Sequence, residues 1–254
     1  MSGSPPAIEA DSLAKRYDRE PAVRGVDLSV PHGTVYGFLG PNGAGKTTTI
    51  RMLVTLLRPT SGTARIDGQS IEHRDRVAER IGYLPETPPL YEELTGREQL
   101  EYIAGLRDIP DDEAAGRIGD LLGRFGLAGD ADKRISTYSK GMRGKVGIIQ
   151  AILHDPAVLF LDEPTSGLDP RAARTVRETI ADLAAGETTV FLSTHILPVV
   201  DELADTVGVL YDGRLVAEGS PAELKQRAGA GEGRSLEDAF LAVTDGQQPV
   251  EQER

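Results

Sequence analysis

Nine consecutive residues carry the plainest chemistry in the chain: Gly40-Pro41-Asn42-Gly43-Ala44-Gly45-Lys46-Thr47-Thr48. Glycines permit backbone angles that other residues resist, so consecutive N–H groups can converge on one anion. A helix following such a turn adds its unpaired first-turn N–H groups and the positive end of its dipole. Lys46 would reach the β- and γ-phosphates of a nucleotide as a mobile point charge, and the Thr47 hydroxyl would offer Mg2+ a hard oxygen. Further along, Asp162-Glu163 closes an apolar run. One carboxylate there could hold Mg2+, and the other could take a proton from an attacking water. Ser193-Thr194-His195 closes another run, where His195 could touch a γ-phosphate or order that water. Each piece alone has a plainer explanation: a turn that binds nothing, an acidic strand end in solvent, a satisfied polar histidine. Together they describe phosphate chemistry.

These groups need particular elements to hold them. Thr34 to Leu39 reads as a strand and Thr48 to Leu57 as a helix, so the glycine run sits in the strand–turn–helix context of a phosphate-binding loop. Ile8 to Leu13 and Val23 to Val30 read as strands, with Tyr17 in a polar loop between them. An aromatic ring in such a loop can stack on a base. Short strands follow at 63–67 and 81–84, with a charged helix at 72–80 between them. From Thr87 to His154 helical patterns dominate: Thr95 to Leu106, Asp111 to Phe125 with Asp111 as N-cap, and Ser139 to Leu153. We read 87–154 as a helical subdomain inserted into an α/β core. Ala157 to Leu161 is a continuous apolar run, as in a parallel strand buried on both faces. A helix at 171–183, a strand at 188–193 and a helix at 196–203 come next. Asp212-Gly213 predicts a hairpin turn between strands at 206–211 and 214–218. A helix at 221–227, a glycine-rich link at 229–233, a short helix at 236–243 and a polar tail predicted to be disordered complete the chain.

The chain has 254 residues, with 28 basic against 40 acidic and a net charge of −12. That argues against a broad nucleic-acid-binding face, which needs clustered Lys and Arg, but not against one nucleotide in a local nest of donors. There are no cysteines, hence no disulfide, thiolate metal site or cysteine nucleophile. The first residues lack the pattern of a signal peptide, and no apolar run approaches the length of a membrane span. If the protein works at a membrane, another chain must do the crossing.

One more piece, Tyr138-Ser139-Lys140-Gly141-Met142, starts a helix shortly before the Asp162 strand. It is similar to the signature, usually written LSGGQ, of the ATP-binding subunits of ABC transporters. Ser139 and Gly141 match; Tyr138, Lys140 and Met142 depart. With the phosphate loop, Asp162-Glu163, Ser166-Gly167-Leu168-Asp169 and His195 in the same order, the chain resembles that family from about residue 7 to 227. The resemblance implies a P-loop NTPase core with a mixed sheet, an N-terminal antiparallel β subdomain and an inserted helical subdomain. ATP and Mg2+ would be the bound groups. It further implies that Tyr17 stacks on adenine and that Gly40 to Thr48 cradle the phosphates. Thr47, Asp162 and Glu86 would ligate Mg2+, with Glu86 standing where the family usually has Gln. Glu163 would be the general base, and His195 would contact the γ-phosphate. Ser139 and Gly141 would bind the γ-phosphate of ATP held by a second copy, with Asp169 at the interface of that homodimer.

A separate transmembrane permease would dock near 87–100, and the chain would sit in the cytoplasm on the inner face of the membrane. The stretch Thr87-Pro88-Pro89-Leu90-Tyr91-Glu92-Glu93-Leu94-Thr95-Gly96-Arg97-Glu98 and the signature variant look most like the multidrug, antibiotic or polysaccharide export branch. A soluble ABC-type ATPase acting on nucleic acid or ribosomes is the alternative, and the charge and single ATPase domain speak against it. A GTPase switch would need an Asn-Lys-x-Asp motif, but Asn42 is the only asparagine.

Overall fold

A computed structural model describes residues 5–227 and 235–245. The strand β1 (Ile8–Tyr17) pairs antiparallel with β2 (Glu20–Val30) and with β4 (Ser61–Ile66), and β5 (Gln69–Ser70) completes a four-stranded sheet in the order β2-β1-β4-β5. The second sheet is built from β3 (Val35–Leu39), β6 (Ile81–Leu84), β7 (Val158–Asp162), β8 (Thr189–Thr194), β9 (Thr206–Tyr211) and β10 (Arg214–Gly219). Its order is β10-β9-β3-β8-β7-β6, parallel throughout except for the β9–β10 hairpin. This is the expected mixed sheet beside an antiparallel one. Asp212 and Gly213 at the hairpin turn both have positive φ, 45° and 71°, as a two-residue turn matching strand twist requires.

The helices are α1 (Lys46–Leu53), α2 (Arg74–Arg80), α3 (Gly96–Leu106), α4 (Asp111–Arg124), α5 (Lys140–Ile152), α6 (Pro170–Ala185), α7 (Leu197–Leu203), α8 (Pro221–Arg227) and α9 (Leu236–Asp245). Of these, α3, α4 and α5 stand in sequence between β6 and β7. Thr95 caps α3 with a reciprocal pair: its hydroxyl accepts from the Glu98 N–H, and the Glu98 carboxylate accepts from the Thr95 N–H.

The central strands explain their own sequence. Along β7, Val158 and Phe160 join the core against the antiparallel sheet and α1, while Leu159 and Leu161 join the core against the helices. Phe191 of β8 does the first, and Val190 and Leu192 do the second. With both faces covered, the strands must be apolar at every position. Phe191 is the hub of the first core, its ring centroid 5.3 Å from Tyr36, 5.1 Å from Phe38 and 5.5 Å from Phe160. Each such pair contributes about 0.5–1.5 kcal/mol beyond burial. A third core joins Leu39, Val200, Val207, Val209 and Leu224 to Leu236 and Ala239 of α9.

Three local readings need correction. Tyr17 is not in a loop: it is the last residue of β1, paired with Glu20, because the β1–β2 turn is tighter than its polar sequence suggests. Asp111 is not the N-cap of α4: Pro110 is, and Asp111, Asp112 and Glu113 occupy the first turn, where their charge favours the helix dipole. Helix α1 starts at Lys46 and stops at Leu53, shifted toward the glycine run; Thr55 beyond it adopts a φ of 63°. The glycine-rich link and most of the polar tail lie outside the described residues.

His154, just after α5, gives the fold a pH dependence. Its Nε2 lies 2.9 Å from the Ile81 carbonyl oxygen, which can only accept, so Nε2 carries the hydrogen; Nδ1 is buried without a partner. Burial pushes its pKa below the ordinary value, and the charge of Arg107 adds to the push. The fold therefore prefers neutral His154. Its contribution is fully present above about pH 6.5, the unfolded value, and is lost as pH falls through the lower folded value. Denaturant midpoints measured from pH 8 to pH 5 should fall in the wild type and fall less in His154→Gln, which keeps a donor for Ile81 but cannot charge. Parallel curves would refute this.

Candidate functional site

The site lies at the carboxyl ends of β3, β7 and β8. Parallel register aligns these ends: Leu39 pairs with Thr194, and Asp162 with Ser193. Loop residues 40–45 leave β3 and turn into α1. The loop is braced from behind. The Gly213 N–H donates to the Ala44 carbonyl at 3.0 Å, and the Arg24 N–H donates to the Gly213 carbonyl at 2.7 Å. Gly45, the N-cap of α1, has a φ of 106°, and a Cβ there would lie 2.5 Å from the Ala22 carbonyl oxygen. A Cβ on Gly40 would lie 2.4 Å from the carbonyl oxygen of Leu210. Only glycine lets the turn pass so close to β2 and β9.

A cavity of about 460 Å3 opens over this turn. Pro41, Asn42, Gly43, Gly45, Lys46, Thr47 and Thr48 line it, with Ala22, Glu86, Glu163, Ser166 and His195. Gly40 and Ala44 stand behind the lining. Lys46 is buried, and its Nζ donates to the carbonyls of Gly40 at 2.7 Å and Pro41 at 3.3 Å. Its Nζ also lies 3.5 Å from Glu163 Oε1, both side chains being under 10% exposed. An ammonium this dry needs such oxygens.

The two carboxylates differ in setting. Asp162 ends β7 and is 1% exposed. Its Oδ1 accepts from the Ser193 hydroxyl at 2.5 Å, while Oδ2 is buried with no hydrogen-bond partner. The orphaned Asp162 oxygen at the end of β7 and the Thr47 hydroxyl on the cavity lining are both hard oxygens of the kind Mg2+ takes. The residues fit Mg2+. Nearby, burial and then the charge of Asp162 push the Tyr83 hydroxyl pKa up. Glu163 leaves the strand with a φ of 52°, in the left-handed region that costs a non-glycine residue free energy and collects at functional sites. Its Oε1 is 2.9 Å from His195 Nδ1, and its Oε2 accepts from the Thr194 hydroxyl at 3.0 Å.

The other expected residues lie apart. Tyr17 is 49% exposed, with the Lys15 ammonium 5.5 Å from its ring centroid, and it does not line the cavity. Ser139 is the N-cap of α5 and accepts the Met142 N–H at 3.2 Å. A Cβ on Gly141 would lie 3.6 Å from Asp169 Oδ2, so these two residues are neighbours. Asp169 caps α6, accepting from the N–H groups of Ala172 and Arg171, and the Ala172 bond first holds its carboxyl below the usual range. None of Ser139, Gly141 and Asp169 lines the phosphate cavity. A second cavity of about 430 Å3 adjoins it, sharing Glu86, Glu163 and Ser166 and reaching Lys140. Glu86 is exposed and makes no hydrogen bond or ion pair among the described residues. Sequence reasoning missed Ala22, Ser166, Ser193 and Thr194 as members of the site. The hydroxyls before His195 at a strand end were the available signal for the last two.

The family model described as ABC transporter matches residues 23–166. The chain is 44% identical over 249 residues to the daunorubicin/doxorubicin resistance ATP-binding protein DrrA of Streptomyces peucetius, covering 98% of this chain and 74% of that one. It is 40% identical over 222 residues to the bacitracin transport ATP-binding protein BcrA of Bacillus licheniformis, covering 87% and 72%. A solved structure described as the ATP binding subunit of an ABC transporter superposes with a TM-score of 0.86 at 32% identity, covering 94% of this chain and 99% of that one.

The loop geometry separates two glycines. Gly45→Ala meets both a positive φ and a backbone clash, whereas Gly43, at a φ of 82°, has nothing within 4 Å of an added Cβ. Gly45→Ala should destabilise by about 1–3 kcal/mol or more and abolish ATP binding. Gly43→Ala should be milder in both denaturation and nucleotide titration; equal effects would contradict the close approach to Ala22.

Proposed function

The chain belongs to the ABC transporter family and is an ATP-hydrolysing, ATP-binding subunit, and from that premise we propose that it powers export through a separate membrane-spanning chain. The observation that carries the mechanism is the convergence of Lys46, Glu163 and His195 on one cavity at the ends of three parallel strands, with Asp162 ending the strand that delivers Glu163. Phosphates of ATP would settle on the N–H groups of the 40–48 turn and on the Lys46 ammonium. The Thr47 hydroxyl and Asp162 Oδ2 would hold Mg2+, with exposed Glu86 as a further oxygen from the rim. When bound, Mg2+ neutralises charge on the β- and γ-phosphates. Glu163 Oε1 takes the proton of the attacking water as it adds to the γ-phosphorus, and ADP leaves. His195, held by Glu163 through Nδ1, presents the rest of its ring to the γ-phosphate. Catalysis is positioning plus charge neutralisation.

Ser139, Gly141 and Asp169 form a second group outside the phosphate cavity, which supports their acting on ATP held by another copy. The N-terminus of α5, with the Lys140 side chain at its start, suits an anion. Two copies would close on two shared ATP molecules, and hydrolysis would release them. Tyr17, half exposed at the end of β1, would stack on adenine. The helical segment 87–154 would act as a subdomain of the 1–227 ATPase domain, with the 228–254 segment following it.

No helix among the described residues is long and apolar enough to cross a membrane. We place the permease contact near 87–100, at the cytoplasmic membrane face. Tyr91 lies exposed in that segment, edge-on to exposed Tyr102 with centroids 5.5 Å apart, and exposed Leu106 ends the same helix. The relatives' names add drug and antibiotic export as the cargo class. Nothing in the charge or the site calls for nucleic acid.

Glu163→Gln should bind ATP without hydrolysing it. Its size in solution should double with Mg-ATP, and adding Ser139→Arg should abolish the doubling. ATP binding with no dimer in either variant, alone or with the membrane partner, would sink the shared-site reading.

A further inference from the structure

Each of the two carboxylates at the site has one oxygen held by a hydroxyl, and the two hydroxyls belong to consecutive residues of β8. The Ser193 hydroxyl donates to Asp162 Oδ1 at 2.5 Å, and the Thr194 hydroxyl donates to Glu163 Oε2 at 3.0 Å. We infer that Ser193 and Thr194 are positioning residues for ATP hydrolysis, fixing which oxygen of each carboxylate is turned toward the reacting groups. This rests on reading Asp162 as a metal ligand and Glu163 as the base.

The register makes the pairing possible. Asp162 lies opposite Ser193 across β7 and β8, and the Glu163 N–H donates to the Ser193 carbonyl at 3.0 Å. Successive strand residues point to opposite faces, so the two hydroxyls cannot serve the same carboxylate. Both side chains are fully buried. A threonine hydroxyl has one hydrogen to give and lone pairs to receive with. Thr194 Oγ1 receives the Ile196 N–H at 3.1 Å, which sets the rotor and leaves its hydrogen for Glu163. β-Branching keeps the side chain in place.

The consequence is a division within each carboxylate. With Oε2 tied to Thr194, Glu163 turns Oε1 toward the cavity groups, 2.9 Å from His195 Nδ1 and 3.5 Å from Lys46 Nζ. With Oδ1 tied, Asp162 keeps Oδ2, buried and without a partner. A hydroxyl suits this task because it orients a carboxylate without neutralising it. An Arg or Lys in the same place would cancel the charge that the base and the metal site need. If the hydroxyls merely satisfied a buried sheet end, their loss would lower stability and ATP affinity but would not single out the chemical step.

The test compares full-length variants in steady-state ATP hydrolysis, with ATP affinity and thermal melting measured alongside. Thr194→Val should lower kcat about ten- to hundredfold while KM, ATP affinity and melting stay close to wild type. Thr194→Ser, which restores the hydroxyl, should recover most of kcat. In the Glu163→Gln background, Thr194→Val should have no further effect, because the group it orients is gone. Ser193→Ala should raise the Mn2+ concentration that half-occupies the ATP complex, read from the electron paramagnetic resonance of the ion without turnover. Wild-type kcat in Thr194→Val, with Glu163→Gln inactive, overturns the positioning of the base while leaving the base in place. Turnover retained by Glu163→Gln overturns the base reading itself, and the inference with it. Joint loss of ATP affinity and kcat without rescue by serine shows a structural role only. Unchanged Mn2+ affinity in Ser193→Ala overturns the Asp162 half.

Discussion

Lys46 holds an ammonium ion almost out of water, against the carbonyls of Gly40 and Pro41 and the carboxylate of Glu163. A buried charge without such oxygens would cost several kcal/mol, so these groups must arrive together or not at all. They come from distant parts of the sequence: the turn after β3 and the residue after β7. What joins them is strand register. With β3, β8 and β7 parallel and aligned, the last residues of all three fall on one edge of the sheet. The aromatic cluster around Phe191 and the helical layer on the other face lock that register by making each face of the sheet apolar. A slip of one residue would turn every strand inside out and scatter the site. The fold is thus a device for holding strand ends level.

The same logic explains what the sequence disclosed. The phosphate turn was legible because its glycines, Lys46 and Thr47 are adjacent in the chain and their roles follow from residue type. The sheet core was legible because parallel strands buried on both faces need unbroken apolar runs, as at 157–161. Asp162-Glu163 was legible as a pair at the end of such a run. Single-residue boundaries were less so. Pro110 took the cap that Asp111 suggested, because proline's fixed φ and the acidic first turn suit that start equally well. Tyr17 looked like a loop residue because polar sequence around a tight turn reads the same whether or not the ladder continues through it.

The partners of the carboxylates were harder to see. Ser193 and Thr194 belong to a strand 31 residues after Asp162 and Glu163, and their hydrogen bonds depend on two strands being neighbours. No local pattern announces that. Ala22 and Ser166 enter the cavity for the same reason, as edges of elements whose contact is decided by the whole sheet. Periodicity finds faces and motifs find chemistry, but orientation between distant side chains is a property of register. That is why the sequence could single out Glu163 and still not say which neighbour would hold each of its oxygens.

The arrangement of Glu163 ties binding to chemistry. Its backbone sits at a left-handed φ, and its carboxylate is shared by Thr194, His195 and Lys46. Of these, Lys46 is an ammonium, and a γ-phosphate carries more negative charge than a carboxylate to compete for it. On the proposed reading, an incoming phosphate would draw the ammonium off Oε1, while the neutral Thr194 hydroxyl would keep Oε2 in place. If Glu163 is the base, that exchange would loosen Oε1 from Lys46 while Oε2 stays oriented by Thr194. In the structure Oε1 lies 3.5 Å from the Lys46 ammonium and 2.9 Å from His195 Nδ1. One ion pair thus helps hold the buried Lys46 in the fold and, by its exchange, would ready a loaded site.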